Sequence, residues 1–221
     1  MFKILFLSVL LITVAAQVLS EEEPCDADDV EVKPTEPANS CPKVPNGNCE
    51  PGWKNFTRPS GEWCMKVFYE NFITYEDANK KCEEIGAKLT GYQNQLEMLY
   101  VTYTVVKHIF PESGTVWVGM KRSEACINAT LTQNCSGSTS FEWTDGSTSG
   151  TEGFHWTPGQ PNNMDRLGRR QPCAIMIASP ERHVDFYPTG MLDDVSCEPL
   201  KNEKYGPRTP KAYVCGKKPK A

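Results

Sequence analysis

The side chains of this 221-residue chain that could do chemistry are its cysteines, a carboxylate pair, a cluster of arginines and three glycan-acceptor triplets. There are ten cysteines and only three histidines, and no two cysteines stand in a Cys-x-x-Cys pair. That pattern disfavours a zinc site, which draws on closely spaced Cys and His. It favours disulfide bonds formed in an oxidising compartment. Asp193 and Asp194 are adjacent, so they are not the separated acid/base pair that glycoside hydrolysis requires. No His-Glu-x-x-His or Gly-x-Ser-x-Gly motif occurs, and His155 and His183 have no nucleophile spaced to work with them. The chain is therefore expected not to be an enzyme. Arg166, Arg169 and Arg170 crowd one segment. They read either as a solvated loop tip or as a grip for anionic groups, which arginine binds bidentately. Asn55, Asn128 and Asn134 each head an Asn-x-Ser/Thr triplet and are candidate glycosylation sites; Cys135 lies within the third.

These groups must be placed by a modest scaffold. The length allows one ordinary domain with flanks. A formal net charge of −5 argues against a nucleic-acid partner. Residues 1–20 read as a secretory signal: Lys3 gives a positive start, Ile4 to Val14 is almost continuously apolar, and Ala16 or Ser20 could precede the cut. That apolar run is shorter than the roughly 20 residues a bilayer-spanning helix needs, so a secreted, extracellular chain without a membrane span is expected. Residues 21–48 read as an acidic, proline-rich linker, with Glu21, Glu22, Glu23, Asp26, Asp28, Asp29 and Glu31 ahead of Pro34, Pro37, Pro42 and Pro45. Residues 218–221 form a short basic tail. The sequence contains no collagen-like or coiled-coil stalk, so multivalency needs another route.

From Cys49 onward, periodic patterns appear. Thr74 is a good N-cap with Asp77 as its capping-box partner, and Tyr75, Ala78, Cys82 and Ile85 follow at helical spacing up to Gly86. A second helix is expected over residues 95–109, with Leu96, Leu99, Tyr103 and Val106 on one face, stopped by Pro111. Short strands are expected at Val116–Met120, Phe141–Trp143, Cys173–Ile177 and Tyr213–Cys215. Between Asp145 and Gln171 the chain is rich in Gly, Pro and Asn, and a loop that long in a compact domain is usually functional. Trp53, Trp117, Trp143 and Trp156 are expected in or against the core.

Several of these segments together resemble the long form of the C-type lectin-like domain family. They are Cys49-Glu50-Pro51-Gly52-Trp53, Trp63-Cys64, Gly86-Ala87-Lys88-Leu89, Trp117-Val118-Gly119-Met120, Trp143-Thr144-Asp145-Gly146-Ser147, Gly159-Gln160-Pro161-Asn162-Asn163, Asp193-Asp194-Val195-Ser196-Cys197 and Tyr213-Val214-Cys215. The likeness covers residues 49–217. It implies an α+β fold of two helices, short antiparallel sheets and a long loop. It also implies disulfides Cys49–Cys64, Cys82–Cys215 and Cys173–Cys197, and the remaining cysteines suggest Cys126–Cys135 and Cys25–Cys41.

Sugar-binding members of the family hold calcium in the long loop. By resemblance its ligands fall on Gln160 and Asn162, flanking a typically cis Pro161, then on Gln171, Asp193 and Asp194. The set carries two carboxylates where sugar-binding members usually have three. Calcium prefers six to eight oxygens with substantial negative charge, so the missing charge puts the ion in doubt, although Asp165 stands close enough in sequence to compensate. The alternatives are an arginine of the loop paired with Asp193 or Asp194 in place of the ion, and Arg169 and Arg170 facing an anionic ligand. The resemblance thus implies a secreted protein that binds carbohydrate with doubtful calcium dependence, or a calcium-independent binder of a protein or an anionic non-sugar ligand.

Overall fold

The computed structural model describes residues 49–180, 183–184, 187–199 and 208–220. The expected signal, the whole linker and the Cys25–Cys41 bond lie outside those residues. In chain order the elements are β1 (Lys54–Arg58), β2 (Gly61–Tyr69), α1 (Tyr75–Glu84), β3 (Lys88–Leu89), α2 (Gln95–Ile109), β4 (Gly114–Arg122), a 3-10 turn (Glu124–Cys126), β5 (Phe141–Trp143), β6 (Cys173–Ala178), β7 (His183–Val184), β8 (Tyr187–Pro188), β9 (Leu192–Val195) and β10 (Pro210–Lys217). The main sheet runs β1-β2-β10-β4-β6-β9, with β3 added to β10 and β5 to β4. Its pairings are antiparallel except β10 with β4.

Both helices start and stop where side-chain chemistry dictates. The Thr74 hydroxyl accepts from the Asp77 N–H at 3.1 Å and donates to the Asp77 carboxylate at 2.8 Å, capping α1. At the other end Gly86 takes φ +68°, while its N–H and that of Ala87 return to Glu83 and Cys82 carbonyls. This is the left-handed closure that glycine makes without steric cost. Asn94 caps α2 by accepting from Leu96 and Glu97 N–H groups.

The sheet is covered on both faces, so β4 and β6 are buried almost throughout and read as continuous apolar runs. Alternation along β4 sends Val116 and Val118 to the cluster beneath α2, and Trp117 to the cluster beneath α1 with Tyr75, Ala78, Cys82 and Leu89. Gly119 is required because a Cβ there would lie 2.0 Å from the Leu89 carbonyl oxygen. Trp53, Trp63 and Trp117 are buried, and the Trp117 indole N–H is satisfied by the Ile73 carbonyl at 2.8 Å. Trp143 and Trp156 are half-buried against the first cluster, in an aromatic chain with Phe141, Phe154 and Tyr92.

Two expectations about the helices change. Ile85 is exposed. The apolar row Leu96, Leu99 and Tyr103 faces away from the core, while Glu97, Met98, Val101 and Val105 are the buried positions of α2. The helix is apolar on both sides, so periodicity alone leaves its rotation undetermined. Its rotation is pinned by Glu97, a buried charge that must meet a partner.

That partner is Arg58. Its guanidinium donates to both Glu97 oxygens at 2.9 and 2.7 Å, to Asp145 at 3.3 Å, to the Thr148 hydroxyl at 3.0 Å and to the Gly91 carbonyl at 3.0 Å. All three charged side chains are at most 1% exposed. Asp145 also accepts from the Thr90 and Thr148 hydroxyls at 2.5 and 2.6 Å and from the N–H groups of Gly91, Ser147 and Thr148. The network therefore ties β1, α2 and the start of the long loop together.

Four disulfides close the described residues: Cys49–Cys64, Cys82–Cys215, Cys126–Cys135 and Cys173–Cys197. Cys82–Cys215 joins α1 to β10 across 133 residues, and closing a loop that long is worth roughly 5 kcal/mol in the chain-entropy picture. Near the ends of the domain Lys217 and Lys220 both contact Glu50 and hold its carboxyl down at about 2.

The variant Arg58→Met should lose about 3–5 kcal/mol of unfolding free energy, because Glu97 and Asp145 are left buried without their cation; urea denaturation measures this. Burial pushes the Asp145 carboxyl up, but the hydrogen bonds from Thr148, Thr90 and Ser147 prevail and hold it below 3.8. Its stabilisation is thus complete above the unfolded value and is lost as pH falls through the lower folded one. Thermal midpoints should drop as the pH falls below the ordinary aspartate value of about 4, and Asp145→Asn should flatten that acid limb.

Candidate ligand-binding site

The long loop, residues 144–172, leaves β5 and returns to β6, so both its ends are fixed by strands beside β4. Its middle is held down by the parallel bridge between Trp156 and Leu192 and by the Trp156 indole N–H, which donates to the Gly137 carbonyl at 2.6 Å. The Gln160–Pro161 peptide is cis. Asn163 follows at φ +58°, a left-handed conformation that asparagine tolerates better than most residues.

Asn163 is fully buried and is the node of the region. Its side-chain amide donates to the carbonyls of Ile127 and Ala129 at 2.9 and 2.8 Å, and its side-chain oxygen accepts from the Gln171 N–H at 2.9 Å. Its own N–H donates to Asp194 at 2.7 Å. One side chain thus joins the Cys126–Cys135 loop and the two limbs of the long loop, while its backbone ties them to β9.

Asp194 meets a charge that the sequence did not suggest. Arg122, at the end of β4, donates to Asp194 at 2.6 Å, with both side chains wholly buried. Arg122 also donates to the Gln171 carbonyl at 3.2 Å and lies over the Phe141 ring at 4.6 Å. Burial pushes the Asp194 carboxyl above its ordinary value, against the pull of the Asn163 and Asn162 N–H groups and the Arg122 charge. Burial likewise lowers Arg122, against the pull of Asp194. Asp194 compensates the buried charge of Arg122, while the Asn163 N–H and Arg122 together compensate that of Asp194. Asp193 points to a different cation, with Arg208 at 2.9 Å.

The remaining positions of the implied calcium set are committed as well. Gln160 Oε1 accepts from the Asn162 N–H at 3.0 Å, and Asn162 Oδ1 accepts from the Met164 N–H at 2.9 Å. Gln171 turns its amide nitrogen to the Asp194 carbonyl at 2.6 Å, and its Oε1 is buried without a hydrogen-bond donor. Asp165 is taken by Arg169: the guanidinium donates at 2.6 Å, and the N–H groups of Arg169 and Leu167 both donate at 2.8 Å. Among the described residues no group of three or more His, Cys, Asp or Glu is placed to hold a metal ion. Hydrogen bonds bring Gln160, Asn162, Gln171 and Asp194 together, and Asp193 beside them in β9 turns to Arg208, so this donor set does not fit calcium. Its two carboxylates already face guanidinium groups, and one free neutral oxygen does not replace them.

The arginines of the loop divide. Arg169 pairs with Asp165, and not with Asp193 or Asp194. Arg166 and Arg170 are exposed, with no side-chain hydrogen bond among the described residues. Arg166 lines an open groove of about 460 Å³ between the loop tip and the segment after the 3-10 turn, together with Thr130, Leu131, Asn162, Met164 and Asp165. Asn128 and Asn134 are exposed on that neighbouring loop, while Asn55 is half-buried in β1.

The residues that organise the site without having been expected are Arg122, Asn163 and Arg208. Asn163 carried a signal, since the second Asn of Pro-Asn-Asn is a residue type suited to a left-handed position. Arg122 and Arg208 carried none, because their partners lie 72 positions downstream and 15 upstream, on other elements.

Comparison with known proteins agrees with this architecture. A family model described as C-type lectin domain-containing protein 141/158 matches residues 50–218. A curated relative, the alpha subunit of the snaclec jerdonibitin from Protobothrops jerdonii, is 26% identical over 103 residues, 46% of this chain and 56% of that protein. The chain therefore spans little more than half the length of that relative. The C-type lectin CEL-I from Cucumaria echinata superimposes with a TM-score of 0.50 at 22% identity, covering 77% of this chain and 97% of that one. The human scavenger receptor C-type lectin carbohydrate-recognition domain gives 0.48 at 22% identity, over 77% and 98%. The family match covers most of the sequence, and the two helices, the sheet and the four disulfides form a C-type lectin fold; the chain belongs to the C-type lectin domain-containing protein 141/158 family.

Proposed function

We propose that this chain is a secreted recognition protein that binds its ligand on the long-loop face without calcium. The observation that carries this is the buried Arg122–Asp194 pair at 2.6 Å, which puts a guanidinium against the carboxylate on which the implied calcium site depends. Asp193 is paired with the partly exposed Arg208 at 2.9 Å. Secretion is supported by the signal-like opening of the sequence and by four disulfides among the described residues. No helix among those residues is long and apolar enough to cross a membrane.

The ligand best suited to this face is an acidic glycan. Arg166 is exposed in a groove that also offers Asn162 and Thr130, Arg170 is exposed four residues on, and arginine recognises sulfate and carboxylate groups through paired hydrogen bonds. Catalysis has no support in the site, whose carboxylates are buried against arginines. A protein ligand is the second reading, favoured by the exposed Met164, Leu167 and Leu131 at the same tip.

Calcium titration of the full chain should leave its thermal midpoint unmoved at millimolar concentrations. A specific ion would raise stability as RT ln(1+[Ca]/Kd), so a concentration-dependent rise would sink the proposal. On a glycan array, binding to sulfated or sialylated glycans should survive EDTA and fall on Arg166→Ala or Arg170→Ala. EDTA-sensitive binding to neutral sugars would refute it, and no glycan binding at all would favour the protein ligand. Arg122→Leu should cost about 3–5 kcal/mol, since it strands Asp194 in the interior. Adding Asp194→Asn to that variant should recover part of the loss in a double-mutant cycle.

A further inference from the structure

The outward face of α2 and Phe110, which caps its end, carry an apolar row left largely exposed by the described residues. Leu96, Leu99, Tyr103 and Phe110 are 72%, 49%, 66% and 68% exposed, and Val106, on the same line, is half-buried and also packs against the core. By contrast, the outward positions of α1 are Glu76, Asp77, Lys80, Glu83 and Glu84. An amphipathic surface helix is expected to look like α1, whereas a helix apolar on both sides is normally buried on both.

The spacing of the row says what would cover it. Residues 96, 99, 103, 106 and 110 alternate steps of three and four, which is the seam that one helix presents to another in a coiled-coil pair. The row is also nearly symmetric about Tyr103, with Leu96 seven residues before it and Phe110 seven after. A two-fold axis through Tyr103 would therefore set two copies of α2 antiparallel, with Tyr103 against Tyr103 and Leu96 against Phe110. Such an isologous contact is the commonest way for soluble chains to pair. No charged side chain interrupts the row; Lys107 flanks it and can keep its ammonium in water. The exposed side chains offer on the order of 600 Å² per copy, so a pair would bury about 1,200 Å², the lower bound of the range for specific dimers.

We propose that two copies of this chain pair through the outward face of α2. Sedimentation velocity of the full secreted chain at micromolar concentration should give the mass of a dimer. Leu99→Glu or Tyr103→Glu should convert it to a monomer, weakening association at least about tenfold, because the two-fold introduces each charge twice. Both positions are exposed, so circular dichroism should show the fold intact. In a second arm, Tyr103→Cys should form a disulfide-linked dimer on a non-reducing gel, whereas Lys80→Cys on α1 should not. A chain that stays monomeric across that concentration range, or a dimer that both glutamate variants leave unchanged, overturns the proposal. A monomer that instead co-sediments with phosphatidylcholine vesicles overturns it in favour of a lipid surface.

Discussion

A guanidinium with no access to water must be surrounded by acceptors, and the arrangement of this domain follows from meeting that demand at Arg58. Two carboxylates, one hydroxyl and one backbone carbonyl converge on it from α2, the long loop and the turn after β3. None of these segments is adjacent to β1 in sequence. The penalty for separating buried charges grows as the local dielectric falls, so the contact fixes position more sharply than apolar packing does. It sets the rotation of α2, because Glu97 must point inward, and it anchors the first turn of the long loop through Asp145.

The same device recurs at the far end of that loop. Arg122 and Asp194 share a dry environment, and Asn163 binds the loop tip to both the neighbouring disulfide-closed loop and β9. The loop is thus clamped at its start by one buried ion pair and at its end by another, with an aromatic chain from Tyr92 to Trp156 between them. What lies outside these clamps is short: the tip from Met164 to Arg170, where Asp165 gathers Arg169 into a tight turn. What these clamps leave exposed is therefore a small set of side chains on a firmly anchored base.

Much of this was legible in the sequence. The cysteine pairs among the described residues, the Trp-Val-Gly-Met strand, the Thr74 cap of the first helix and the extents of both helices follow from local composition and from the family pattern, and so does the cis bond before Pro161. Local patterns failed where two solutions satisfy them equally. The row Leu96, Leu99, Tyr103 is as good a core face as Met98, Val101, Val105 until Glu97 is seen to need Arg58, 39 residues away. Hydrogen bonds bring Gln160, Asn162, Gln171 and Asp194 together, but the arginine that pairs with Asp194 comes from β4. A pairing across 72 positions leaves no periodicity or spacing to read. Long-range electrostatics decided the rotation of a helix and the chemistry of a site, and neither is encoded in any short window.

The placement of the domain's ends has a mechanical consequence. Cys49 is bonded to Cys64 in β2, Cys64 lies opposite Lys217 in the β2–β10 ladder, and Glu50 is paired with Lys217 at 2.6 Å. Tension applied between the two ends therefore enters and leaves through neighbouring rungs of one ladder, with the Cys82–Cys215 bond just beyond. The long loop is reached through β4, β6 and β9, on the opposite side of the sheet order. A pull on a tethered molecule would be carried at one corner, and the shape of the recognising surface would not be part of the load path.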